Sequence, residues 1–165
     1  MATHTSPQTE ETDLEPAGTS ADVVAGLNRL IADATVFYQK VRHYHWNVTG
    51  PHFYTLHDEF EEIYEFWSGA IDELAERLRT VDETPVHTLA DILDLTALDE
   101  DASTPDAEEM VRRVVSDLNA LDACIQDVAE EAEAAEDTGT VTILEDLSEQ
   151  IEEDLWMLRA WLDEG

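Results

Sequence analysis

The chain has 165 residues, of which 40 are acidic and 8 are basic, so its formal net charge is −32 at pH 7. This charge makes nucleic acid a poor partner, because binding it depends on Lys and Arg that neutralise phosphates, and a divalent cation fits the charge better. Concentrated salt screens such self-repulsion over about 3 Å at 1 M, so the composition predicts a salt-rich cytoplasm of the halophilic type.

Other signals concern compartment and domain organisation. Cys124 is the single cysteine, which excludes an intrachain disulfide and fits a reducing interior. No apolar run approaches the roughly 20 residues of a membrane span, and the first residues lack the basic start and apolar stretch of a secretory signal.

Residues 1–18 are rich in Thr, Glu, Pro and Ser. We predict a cytoplasmic protein, without membrane association, with a disordered acidic tail over 1–18 and one domain over 19–165.

Apolar residues three and four apart predict amphipathic helices along the domain. The predicted elements are a helix over 21–47, a helix over 53–81, a short helix over 89–95 within a long connection, a helix from about Thr104-Pro105, and a last helix after Gly139. No useful β alternation occurs. A connection as long as 82–104 allows a crossover in a bundle. The fold class is therefore all-α, a four-helix bundle with a short helix between its second and third helices.

Helix ends have their own signals. Thr19 and Asp22 resemble a capping box for the first helix, and Thr88 is placed to cap the short helix. Thr104 followed by Pro105 resembles a cap with Pro at the first helical position.

The second helix carries two pairs of possible metal ligands, and the two members of each pair are four residues apart. The pairs are His57 with Glu61, and Asp72 with Glu76. Glu61 and Asp72 are 11 residues apart, close to three whole turns, so all four side chains share one stripe. They are nevertheless about 16 Å apart along the axis, whereas a metal holds its ligands at roughly 2.0–2.2 Å. One chain therefore cannot bring both pairs to one ion.

Two copies of this helix packed antiparallel can do so. Small residues lie at the midpoint, over 68–70, and let two helices approach closely. His45, at the end of the first helix, returns to the site through the Gly50-Pro51 turn. A two-fold axis then creates two identical sites. The predicted ligands are His45, His57 and Glu61 of one subunit with Asp72 and Glu76 of its mate, a mixed set that suits ferrous iron. Acidic pairs at this spacing are expected by chance in so acidic a chain, so the histidines carry more weight.

Three separated motifs resemble those of the Dps family: His45-Trp46-Asn47-Val48-Thr49-Gly50 followed by Phe53 and Leu56-His57, Asp72-Glu73-Leu74-Ala75-Glu76-Arg77, and Trp156-Met157-Leu158-Arg159-Ala160-Trp161-Leu162. The resemblance spans about 21–162. It implies a ferritin-like dodecameric shell with ferroxidase centres at dimer two-folds, hydrogen peroxide as oxidant, and ferric mineral inside. The family ligands fall on His45, His57, Asp72 and Glu76. Glu61 stands where the family usually has Asp, and its longer side chain alters the spacing within the iron site.

Weaker assignments concern other acidic and aromatic residues. Asp58, Glu62 and Glu65 are candidates for seeding ferric mineral, with a solvated acidic face as the alternative. Asp137, Glu145 and Asp146 are candidates for an acidic pore at a three-fold axis, where one sign of charge concentrates incoming cations. Trp46 lies beside a ligand, and in the resembled family aromatic residues there take up oxidising equivalents, although packing is the commoner role of a Trp.

Other functions remain open from the sequence. Many relatives of the resembled family coat DNA through basic tails, but here the tail is acidic and Arg29 is the first basic residue. A non-catalytic shell that binds divalent metals is a further alternative, because the same ligands bind several metals. A di-metal oxygenase ranks last, since the Glu-x-x-His motif of such bundles does not occur.

Overall fold

The computed structural model describes residues 19–163, and the predicted tail lies outside them. The described chain contains five helices and no β-strand: α1 Ala21–Asn47, α2 Phe53–Thr80, α3 Leu89–Leu95, α4 Ala107–Ala134 and α5 Thr138–Trp161. The all-α prediction, with a short helix in the long connection, is confirmed. None of these helices is long and apolar enough to cross a bilayer.

The four long helices enclose one core. α1 packs against α2, α3 and α4, while α5 packs against α4 and α2. Phe37 of α1 meets Trp67 of α2 edge to face, with ring centroids 5.5 Å apart, and both side chains are fully buried. The short helix α3 inserts Ile92 against Ala32 and Val36 of α1. Burial of these apolar surfaces holds α1 and α2 side by side, and this pairing positions the site described below.

Two predicted caps are wrong by one or two residues. Ser20, and not Thr19, caps α1, because its hydroxyl accepts the backbone N–H three residues ahead. Thr19 instead donates to a carboxylate oxygen of Asp137 at 2.7 Å. Asp106 caps α4 in the same way, two residues beyond the expected Thr104. The predicted cap of α3 is confirmed, since Thr88 accepts a backbone N–H of that helix.

The break between α4 and α5 also differs from expectation. The sequence predicts Gly139 as the residue that separates the two helices, but Gly139 lies in the first turn of α5. The chain reverses at Glu136, whose φ is 58°. The N–H groups of Glu136 and Asp137 bond to the carbonyls of Glu133 and Ala132 at 3.0 and 2.9 Å, which is the Schellman pattern of a helix end. The left-handed position is thus held by a non-glycine residue.

Candidate metal centre

Three of the predicted ligands form one cluster. His45 lies near the end of α1, and His57 and Glu61 lie one turn apart on α2. One ligand atom from each of the three lies within 4.8 Å of the other two. The turn between the helices passes through Gly50, whose φ of 102° suits glycine, and it folds α2 back along α1. Sequence-distant groups therefore converge because α1 and α2 are adjacent and antiparallel.

The two histidines hold each other in place. His45 Nδ1 donates to the backbone carbonyl of His57 at 2.8 Å, and His57 Nδ1 donates to the carbonyl of His45 at 2.9 Å. The rings are stacked, with centroids 3.8 Å apart. Because a carbonyl only accepts, Nδ1 of each ring carries a hydrogen, and Nε2 is the ring nitrogen left to face a metal. Both rings are thus prepared as metal ligands by the backbone of the opposite helix.

Aromatic side chains enclose the cluster. Phe53 stacks on His57 with centroids 4.9 Å apart, and Tyr64 packs edge-on against His45 at 5.3 Å. The Tyr64 hydroxyl donates to Oε1 of Glu61 at 3.2 Å. Burial, and then the charge of Glu61, raise the pKa of Tyr64, so the phenol keeps its proton at neutral pH. Tyr64 therefore orients the carboxylate, and its position three residues after Glu61 on the same helix is the sequence signal for this role.

Trp46 lies next to this cluster on a different face of α1. Its side chain is 57% exposed, so much of the ring stays accessible in the described chain. The Arg42 guanidinium lies over its ring, 4.9 Å from the centroid, and 5.0 Å from the ring centroid of Tyr38. The predicted role of Trp46 in taking up oxidising equivalents stays a prediction.

Asp72 and Glu76 lie away from the cluster. Both are exposed on α2, on the same helix as His57 and Glu61 but about three turns further along. The described chain therefore brings together three of the five predicted ligands and leaves two on the surface. Their participation through a second subunit stays a prediction.

The other acidic candidates divide by burial. The predicted mineral-seeding residues and two of the three predicted pore residues are exposed, namely Asp58, Glu62, Glu65, Glu145 and Asp146. Asp137 is only 6% exposed. It caps α5 and accepts hydrogen bonds from Arg77 at 2.6 Å and from Thr19 and Thr140, both at 2.7 Å.

These contacts give Asp137 a structural role. Burial alone would raise the pKa of Asp137, but the hydrogen bonds from Thr19 and Thr140 and the charge of Arg77 lower it. A carboxylate used in this way has few lone pairs left for a passing cation. The pore assignment of Asp137 stays a prediction, as it does for Glu145 and Asp146.

Comparison with known proteins agrees with this architecture. A family model described as a ferritin-like domain matches residues 24–165. The DNA protection during starvation protein of Brevibacillus brevis is 39% identical over 137 residues, covering 83% of this chain and 92% of the relative. The crystal structure of Dps from Staphylococcus aureus has a TM-score of 0.85 at 34% identity, covering 88% of this chain and 97% of that one.

A second solved structure comes from Vibrio cholerae O1 and is described as Dps, a member of a broad superfamily of ferritin-like diiron-carboxylate proteins. Its TM-score is 0.83 at 35% identity, and the match covers 86% of this chain and 89% of that chain. Identity at this level over most of both chains establishes common ancestry as well as a common fold. The chain belongs to the Dps family of ferritin-like proteins.

Proposed function

We propose that the protein oxidises ferrous iron at centres shared between two subunits and stores the ferric product inside a homo-oligomeric shell, a dodecamer. The observation that carries this proposal is the cluster of His45, His57 and Glu61. It supplies two imidazole nitrogens and a carboxylate, a mixed donor set that suits ferrous iron and leaves positions for exchangeable oxygens.

The incompleteness of the cluster supports sharing. Three ligands from one chain do not surround an iron ion, and Asp72 and Glu76 are too far along α2 to join them. Their exposure leaves both carboxylates available to a second copy of α2. In the proposed dimer, a two-fold axis near residues 68–70 brings these carboxylates opposite the histidines. Each interface then holds two equivalent centres.

Iron is the substrate in this reaction, and hydrogen peroxide is the proposed oxidant. Two ferrous ions each lose one electron, and peroxide accepts both electrons and two protons as its O–O bond breaks, which gives two ferric ions and two water molecules. Paired transfer of both electrons avoids release of hydroxyl radical. The chain contributes by holding ferrous iron with fixed imidazoles and by orienting the Glu61 carboxylate through Tyr64.

Ferrous iron requires a route into the shell, and the ferric product requires a surface on which to deposit. We propose that Glu145 and Asp146 line the pore through which ferrous iron enters, and that Asp58, Glu62 and Glu65 seed the mineral. All five side chains are exposed in the described chain. A group of negatively charged carboxylates raises the local concentration of cations and speeds their arrival.

A direct role in coating DNA is less well supported, although several relatives are named for DNA protection. Arg77, Lys40 and Arg113 are engaged in ion pairs with acidic partners at 2.6–2.7 Å. The formal charge of −32 opposes approach to phosphates. We expect no retardation of duplex DNA at physiological or higher salt, and a salt-sensitive gel shift would show that expectation to be wrong.

Subunit mixing tests the shared centre. His57→Ala and Asp72→Ala shells, each expected to oxidise iron slowly alone, are dissociated, mixed and reassembled, and ferric absorbance is followed after addition of ferrous iron and peroxide. A mixed dimer has one damaged centre with both changes and one intact centre, so we expect partial recovery of the oxidation rate. Mass spectrometry verifies mixing. Absence of recovery in verified mixed shells contradicts sharing, and slow oxidation by the wild-type shell contradicts a ferroxidase.

A further inference from the structure

A second group of carboxylates lies between α2 and α5, apart from the histidines. The two helices enclose a cavity of about 290 Å³. Four acidic side chains line it, Glu59 and Glu62 from α2 and Glu153 and Asp154 from α5, and no Lys or Arg lies among the lining residues. The described part of the chain therefore provides this cavity with negative charge and no protein cation.

Asp154 is the unusual member of the group. It is 6% exposed, and Gln150 Nε2 donates to its Oδ1 at 2.9 Å. Its Oδ2 is buried and has no hydrogen-bond partner among residues 19–163. A buried carboxylate oxygen is ordinarily paired, because loss of its hydration is costly unless another interaction replaces it. The side chain that lines the cavity is thus short of one partner.

The charges around Asp154 also favour a bound cation. Burial raises the pKa of Asp154 to about 6, and the charges of Glu153 and Glu62 act in the same direction. At pH 7.5 and above, the carboxyl group is therefore largely ionised. A cation from solution would pair with Oδ2 and relieve the repulsion from the neighbouring carboxylates.

We propose that this cavity is a second cation site, in which Asp154 joins Glu59 and Glu62 to bind a hard, oxygen-ligated cation of the Ca²⁺ class. Carboxylates and water are the ligands of such cations, and Ca²⁺ accepts flexible arrangements of six to eight oxygens. The site has no imidazole, so its preference differs from that of the cluster of His45 and His57. It links α2 to α5, shares Glu62 with the residues proposed to seed the mineral, and does not depend on the cluster of His45 and His57.

Calorimetric titration of the metal-stripped, full-length shell with CaCl2 tests the proposal. The measurement uses pH 8 and about 1 M KCl, because this salt screens loose counter-ion binding over about 3 Å. We expect Asp154→Asn to weaken Ca²⁺ binding by about tenfold or more, as loss of a group at a metal site commonly does. Asp127→Asn removes the same charge from an exposed position on α4 and is expected to bind Ca²⁺ like the wild type.

Two further variants separate a loss of Ca²⁺ binding from a folding defect and from a loss of the iron centre. Glu62→Gln alters an exposed member of the site and is expected to weaken Ca²⁺ binding without affecting folding, which circular dichroism verifies. His57→Ala disables the iron centre and is expected to leave Ca²⁺ binding unchanged, so the two sites fail independently. Equal Ca²⁺ affinity in Asp154→Asn and Asp127→Asn overturns the proposal, as does absence of saturable binding in the wild type.

Discussion

His45 and His57 are joined by two reciprocal hydrogen bonds, since the Nδ1 of each ring donates to the backbone carbonyl of the other residue. The backbone at the end of α1 therefore holds the ring of His57, and the backbone at the start of α2 holds the ring of His45. Each ring has its metal-binding nitrogen oriented before iron arrives, which lowers the reorganisation needed on binding.

Replacing His57 with Ala should disable iron oxidation. The change removes one ligand and one of the two reciprocal hydrogen bonds, and we expect the initial rate of ferrous oxidation to fall by about tenfold or more. Stopped-flow ferric absorbance after addition of peroxide measures it. His87→Ala is the matched control, because His87 is exposed and, among residues 19–163, its ring is hydrogen-bonded to the nearby Pro85 carbonyl. Equal loss of rate in both variants would contradict the assignment.

The hydroxyl of Tyr64 should matter less than a ligand. Tyr64→Phe keeps the ring edge against His45 but removes the hydrogen bond to Glu61. Such a bond contributes about 0.5–1.5 kcal/mol, so we expect the oxidation rate to fall by about two- to tenfold. Tyr54→Phe serves as the control, since that side chain is 80% exposed. An unchanged rate in Tyr64→Phe, with iron affinity also unchanged, would show that Glu61 needs no such support.

Much of the fold and three of the five proposed ligands, which the described chain brings together, could be predicted from local sequence. Apolar spacing gave α1, α2 and α3 to within a residue, because an amphipathic helix has a period that one chain displays by itself. The pairing of His57 with Glu61 follows from a separation of four residues on one helix. The Gly50-Pro51 turn brought His45 to them, since it reverses the chain directly after α1.

Features that depend on which helices face each other could not be predicted. Ser20 caps α1, whereas Thr19 donates to Asp137, a partner that is distant along the chain. The reciprocal histidine bonds require the register between α1 and α2. Asp154 gave a weak signal, because it lies three residues after Ile151 and four before Leu158 on the apolar face of α5. By its charge alone, Asp154 cannot be distinguished from the many solvated carboxylates of this acidic chain.

Asp101 should stabilise the fold in a pH-dependent way. Its carboxylate accepts hydrogen bonds from Tyr44, from Ser103 and, at 2.7 Å, from Arg113, and it thereby ties the connection after α3 to α1 and α4. Burial alone would raise the pKa of Asp101, but the bonds from Ser103, Tyr44 and Arg113 together lower it well below its usual range. The stabilisation is therefore complete above the unfolded pKa of about 3.9 and is lost as pH falls through the lower folded value.

Asp101→Asn should consequently unfold at lower temperature than the wild type at pH 7, and the gap between them should narrow below about pH 4. Calorimetry across this pH range measures the gap. Asp94→Asn, an exposed change on α3, should show little difference at any pH. A gap of the same size at pH 7 and at pH 3 would show that the charge of Asp101 contributes nothing.

Lys40, the single lysine, should stabilise the fold through a buried ion pair with Asp117. Its Nζ lies 2.6 Å from Oδ2 of Asp117, and the two side chains are 7% and 13% exposed. Lys40→Met leaves the Asp117 carboxylate without its counter-charge, and we expect a loss of about 3–5 kcal/mol in the free energy of unfolding. Denaturant titration measures this loss.

The double variant Lys40→Met with Asp117→Leu should recover most of that stability, because it also removes the uncompensated charge. The coupling energy from this double-mutant cycle should change little between low and high KCl, since salt screens buried pairs weakly. The exposed pair of Arg112 with Glu108 provides the contrast, because its side chains are 44% and 63% exposed and its coupling should be small and decline with salt. A buried pair whose coupling vanished in high salt would contradict the assigned burial, and the overall acidity of the chain would then account for the whole effect.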